Sequence, residues 1–129
     1  MKLTENFSLK EFECKDGSDT PIWVQNNIRL LSVELQKLRN VLGRPIRITS
    51  AYRSPEYNKK IGGVANSQHL YGKAADIQVK NVDPVQVYEI IEDMAEKGEL
   101  SIGGLGLYDS FVHIDIRDYK ARWDYSSRN

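Results

Sequence analysis

At 129 residues the chain is long enough to bury one hydrophobic core, and it is read as one domain over 1–129. Hydrophobic residues are 40% and charged residues 28%, with 18 basic side chains balancing 18 acidic ones, so nothing in the charge favours nucleic acid as a partner. The one cysteine, Cys14, excludes an intrachain disulfide and a cysteine-built zinc cage.

The opening "MKLTENFSLKEFE" has no apolar run of signal-peptide length, and no window approaches a membrane span. The expectation is a chain made in the cytoplasm, with no membrane insertion. Ser8 and Glu11 have capping-box spacing, which predicts a short helix over 8–13. Thr20 as cap and Pro21 at the first helical position predict a long helix ending before Gly43. Its core stripe is Ile28, Leu31, Leu35, Leu38 and Leu42, at steps of three and four.

"PIRITSAYRS" alternates as a strand, with Ile46 and Ile48 on one side. "SPEYNKKIGG" reads as a short helix or turn, and an irregular loop through Ser67, Gln68 and His69 follows. Gly72 is the hinge into the strand "AADIQV", where Ala75, Ile77 and Val79 share one face and Asp76 and Gln78 the other. Asp83 and Pro84 open a second helix with Val87, Ile90, Ile91, Met94 and Ala95 inward and Gly98 at its end. "GGLGLYDSFVHIDI" predicts two strands joined by a turn near Asp109 and Ser110. The second would carry Val112, Ile114 and Ile116 on one face, and Phe111, His113 and Asp115 on the other. The tail "DYKARWDYSSRN" yields no element, and its last residues are expected to fray.

Helix, strand, strand, helix, strand, strand is an α+β order: a small antiparallel sheet with helices packed on one face. The other sheet face then carries Asp76, His113 and Asp115. His69, Asp76 and His113 offer two imidazoles and a carboxylate, the donor types of a catalytic zinc site with one position open to water. Each has a plainer reading: His69 as a hydrogen-bonded loop residue, Asp76 as the ion-pair partner of Arg53, His113 as a satisfied strand histidine. Trp123 and Tyr108 are candidates for lining a cleft, with core packing as the alternative.

The pattern S-x-H-x-x-G-x-A-x-D, present as Ser67, His69, Gly72, Ala74 and Asp76, follows "SAYRSPEYN" and precedes "GGLGLYDSFVHIDIR". Together these stretches resemble peptidase family M15, the zinc D-Ala-D-Ala carboxypeptidase-like peptidoglycan peptidases with a hedgehog-like fold. The opening "ENFSLKEFECKDG" resembles the start of the small single-domain branch found in phages and bacteria, which includes endolysins. The resemblance runs over roughly residues 4 to 123. It implies a zinc ion on His69, Asp76 and His113, and a role for Arg53 in holding a substrate oxygen and stabilising oxyanion charge. Ser67 and Gln68 fall where the family contacts substrate or supports the metal, with loop capping as the alternative.

Many relatives place Glu or Asp three residues before the last histidine; here Ser110 occupies that slot. Asp115, on the strand face of His113, ranks ahead of Asp109 as the general base. The resemblance thus implies a zinc metallopeptidase that hydrolyses an amide in peptidoglycan stem peptides by zinc-activated water; one compact domain with no spare apolar stripe is expected to be a monomer. Two other readings stay open: a non-catalytic wall-binding or phage structural module on the same fold, and a metal-free binding domain with Asp76 paired to Arg53.

Overall fold

The structure, a computed structural model, describes residues 1–127. After a 3-10 turn at Leu9–Phe12 comes α1, Ile22–Leu42, then β1, Ile46–Ser50, and α2, Pro55–Lys60. A second 3-10 turn, Gln68–Tyr71, leads into β2, Ala74–Val79, and α3, Pro84–Glu96. Three strands close the chain: β3, Gly104–Leu107; β4, Val112–Asp115; and β5, Ala121–Asp124. The five strands form one sheet in the order β1-β2-β4-β3-β5, antiparallel at every pairing except β3 with β5. The fold is α+β, as expected, and no helix of the described residues is long and apolar enough to cross a membrane.

α1 forms because its apolar residues keep helical spacing: Val24, Ile28, Leu31, Leu35 and Leu38 are all fully buried. Leu42, expected in that stripe, is only partly buried at the helix end. The helix stops at Gly43, whose φ of 64° is the left-handed conformation that closes a helix without a Cβ clash. Its start differs by one residue from the expectation. Pro21, not Thr20, is the N-cap, and the Thr20 hydroxyl is buried without a partner. At α3, Pro84 takes the first turn and Val87, Ile91 and Met94 are buried, whereas Ile90 and Ala95 are only partly so.

These helical stripes share one core with Ile46, Ile48, Ala75, Ile77, Leu105, Leu107, Val112 and Ile114 of the sheet. Because side chains alternate along strands, the residues between them stand on the opposite sheet face. In register, Asp76 lies beside His113, His113 beside Gly106, Gly106 beside Trp123, and Gly104 beside Asp115. That row is where chemistry gathers.

β5 was not expected. It pairs at the sheet edge, its residues are intermediate or exposed, and it shows no apolar alternation to announce it. The expectation of fraying applies in part to residues 128 and 129, which lie outside the described residues. Within them, Ser126 is buried and Tyr125 N donates to Leu107 O at 2.8 Å.

Candidate metal centre

Three backbone devices bring His69 to the sheet. Ser67 caps the 3-10 turn, its hydroxyl accepting from His69 N at 3.2 Å. Gly72 ends the turn at φ 72°, against α1, where a Cβ would overlap Val24. Asn27 of α1 then donates from Nδ2 to Tyr71 O at 2.8 Å. The segment after β1 holds the histidine from the other side: Arg53 N donates to His69 O at 3.0 Å, and His69 Nδ1 lies 2.6 Å from Ala51 O. A carbonyl only accepts, so Nδ1 carries the proton and Nε2 presents its lone pair.

That lone pair faces Asp76 Oδ1 at 3.2 Å, and so does Nδ1 of His113, also at 3.2 Å. The opposite nitrogen of His113, Nε2, lies 2.7 Å from Asp115 Oδ2. The short contact is a charge-assisted hydrogen bond, whereas the two longer ones converge on one oxygen. Zinc–ligand bonds of about 2.0–2.1 Å in tetrahedral geometry leave donor atoms roughly 3.3 Å apart. The two nitrogen–oxygen separations match that edge, and ligand atoms of His69, Asp76 and His113 all lie within 4.8 Å of one another. All three residues are buried. Two neutral imidazoles and a carboxylate, with each histidine's far nitrogen held, suit a tetrahedral divalent cation with one position left over.

The electrostatics place a negative charge at the point where the rings converge. Burial pushes the Asp76 carboxyl up, but the facing His113 and His69 rings outweigh it and hold the group well below the usual carboxylate range. Burial lowers His69. For His113 burial acts downward too, yet the carboxylates on either side of the ring, Asp115 and Asp76, prevail and raise it, so without a cation the ring is drawn toward its protonated form.

The centre opens into a cavity of about 370 Å³, lined by Arg53, residues of the loop 62–66, Ser67 and Gln68 together with Tyr108, Phe111, Arg117 and Trp123. Arg53 is fixed from three directions: Nε donates to Ser50 Oγ at 3.2 Å, Nη1 to Asn58 Oδ1 at 3.3 Å, and Nη2 to Asp76 Oδ2 at 3.4 Å. Buried Asn58 also donates from Nδ2 to Val64 O at 2.9 Å, so one amide ties the arginine to the loop beside it.

Asp115 and Asp109, the two candidate bases, do not line this cavity. Asp115 is wholly buried behind His113; its carboxylate accepts from His113, from Gly104 N at 2.9 Å and from the Arg117 guanidinium at 2.7 to 3.1 Å. Asp109 is exposed at the rim, accepting from Ser127 N at 2.7 Å and Ser127 Oγ at 3.0 Å. Arg117 and Asn58 escaped the sequence reading. Arg117 stands two residues beyond Asp115, the same-face spacing of a strand, and that was the available signal. Asn58 sits in a helical turn among exposed lysines and gives none.

The glycines of "GGLGLY" are also part of the centre. A Cβ on Gly104 would overlap the Asp115 carboxylate, and one on Gly106 would overlap the Trp123 indole. Bare positions on β3 are what allow Asp115 and Trp123 to lie across it.

Residues 5–115 match the family Peptidase M15. A stretch of 45 residues is 42% identical to the zinc D-Ala-D-Ala carboxypeptidase of Streptomyces albus G, covering 34% of this chain and 18% of that protein. The chain thus spans less than a fifth of that relative in the aligned part, while the family match takes in β1, β2, β3, β4 and all three residues of the metal centre. The chain belongs to the peptidase M15 family.

Proposed function

We propose that the chain is a zinc peptidase that hydrolyses an amide bond in peptidoglycan stem peptides. One observation carries this reading: His69 Nε2 and His113 Nδ1 each lie 3.2 Å from Asp76 Oδ1, and all three residues line an open cavity. The substrate class is inferred from the relative named for D-Ala-D-Ala. Zinc held there would supply a Lewis acid that makes water nucleophilic near neutral pH and polarises a carbonyl.

The protein's own part is positional. Ala51 and Asp115 hold the two imidazoles by their far nitrogens, so each presents a lone pair without reorganising. Arg53, pinned by Ser50 and Asn58, turns its guanidinium to the cavity, where it can grip a peptide carbonyl or carboxylate oxygen. Ser67 serves as the cap of the His69 turn, and Gln68 stands on the cavity wall within reach of a peptide. Asp115, enclosed behind His113, is assigned to holding that ring and not to moving a proton through the cavity.

The test is mass spectrometry of peptidoglycan fragments and synthetic stem peptides after incubation with the zinc-loaded protein, with and without a chelator. Chelator-sensitive release of a D-amino acid or a shortened stem is expected. A zinc-replete protein that leaves every stem peptide intact would overturn the reading in favour of a binding module.

A further inference from the structure

Among the described residues lining the cavity, Asp76 is the only carboxylate, so the other groups able to meet a substrate oxygen are cationic or neutral donors. One of the neutral donors is placed with unusual care. Trp123 Nε1 lies 3.0 Å from Tyr108 Oη. An indole N–H can only donate, so the phenol oxygen accepts and its own O–H must point elsewhere. Among the described residues nothing accepts from it, and Tyr108 lines the cavity beside the metal centre.

Both rings are held. Tyr108 stacks on Phe111 with centroids 4.3 Å apart and planes 11° from parallel, and Tyr125 meets it edge-on at 5.7 Å. Trp123 lies over bare Gly106, packs on the His113 ring at 5.0 Å, and carries the Arg117 guanidinium at 5.3 Å. The indole is therefore tied to the same histidine that faces Asp76. A donor fixed before substrate arrives costs no reorganisation when charge develops on an oxygen.

We propose that Tyr108 is a catalytic hydrogen-bond donor, its O–H aimed by Trp123 Nε1 at the carbonyl oxygen of the peptide unit being cut, in the cavity that Arg53 also lines. No covalent step is involved. The proposal rests on the peptidase reading above, with Trp123 as the positioning residue.

The experiment compares zinc-loaded wild type, Tyr108→Phe, Trp123→Phe and the double variant. Tyr108→Phe keeps the ring packing, whereas Trp123→Phe shortens a ring that packs on His113, so metal analysis and thermal melting serve as controls and rates are compared at full zinc content. With a stem peptide as substrate, Tyr108→Phe is expected to lower kcat by about tenfold to a hundredfold, with KM within about threefold. Trp123→Phe alone should cost less, and the double variant should be no slower than Tyr108→Phe, because the indole acts through the phenol. A kcat within twofold of wild type in Tyr108→Phe would overturn the proposal. A double-variant loss equal to the product of the single losses would overturn the positioning role of Trp123. Calorimetry with inorganic phosphate gives a readout independent of turnover: Tyr108→Phe should bind it about tenfold more weakly. If wild type cleaves no stem peptide, the peptidase reading fails, and phosphate then decides on Tyr108 alone, equal affinity in the two proteins counting against it.

Discussion

His113 and Asp115 stand two residues apart on β4, with 2.7 Å between Nε2 and Oδ2, and that contact decides which nitrogen of His113 faces Asp76. Burial would raise the Asp115 carboxyl, but His113 and Arg117 outweigh it and keep the group ionised well below the usual range. An ionised carboxylate with no exposure, enclosed by a ring N–H, a guanidinium and a backbone N–H, has the surroundings that the proposed holding role needs.

Asp115→Asn is therefore expected to act through the metal. It leaves a neutral amide against His113 and Arg117, and loss of such a supporting carboxylate lowers zinc affinity by about 10- to 100-fold. Chelator competition against wild type measures this directly, and turnover should recover as free zinc is raised. Asp109→Asn is the contrast: its exposed carboxylate touches Ser127 and not the cavity, so turnover should stay within about threefold at full zinc content. Abolished turnover in zinc-replete Asp109→Asn would instead show a rim carboxylate swinging inward.

Zinc binding should also show as stability. A metal at a hundred times its Kd adds about 2.7 kcal/mol, which for a chain of this size moves Tm by about 10 °C. A chelator should remove that increment from wild type. In Asp76→Ala, which lacks the carboxylate that both histidines face, the melting curve should be indifferent to chelator. A wild-type Tm that ignores chelator would argue that the three residues hold no metal.

The parts of this centre that were legible in sequence are those that periodicity exposes. The α1 stripe and the alternation of β2 and β4 fix which side chains leave the core, and that alone sets Asp76, His113 and Asp115 on one face. Metal-ligating chemistry could be read from residue types, but not which histidine nitrogen does what, because Ala51 O and Asp115 Oδ2 make that choice across the fold. β5 stayed hidden because a parallel edge strand needs neither a local turn nor an apolar face, and Trp123 could be placed only once its pairing with β3 was known.

The glycines of β3 yield a packing prediction. Neither Gly104 nor Gly106 has a positive φ, so alanine is conformationally acceptable at both, and the obstacle is space. Gly106→Ala pushes on the Trp123 indole and Gly104→Ala on the Asp115 carboxylate. Overpacking of this kind costs about 1–3 kcal/mol, measurable by denaturant titration. The two should separate in a second readout, Gly104→Ala weakening zinc and Gly106→Ala shifting tryptophan fluorescence. Equal zinc affinity in Gly104→Ala and wild type would mean that the carboxylate moves without disturbing His113.

Acid stability should depend on an ion pair that does not line the cavity. Arg122 of β5 holds Glu92 of α3 through two hydrogen bonds, Nε to Oε2 at 2.7 Å and Nη2 to Oε1 at 3.0 Å. Those bonds from Arg122 outweigh burial and keep the Glu92 carboxyl below its ordinary value of 4.5. A carboxyl depressed in the folded state binds its proton more readily when unfolded, so its contribution is fully present above the unfolded pKa. It is lost as pH falls through the folded value. Glu92→Gln should therefore be less stable than wild type by about 1 kcal/mol near neutrality, a part-exposed but bidentate pair. The gap should close as pH drops below about 4.5, the upper edge of this window. Urea titrations of both proteins at several pH values, in chelator so that the metal plays no part, measure the difference; a gap that stays constant through the acid range would show that the carboxylate is not what ties β5 to α3.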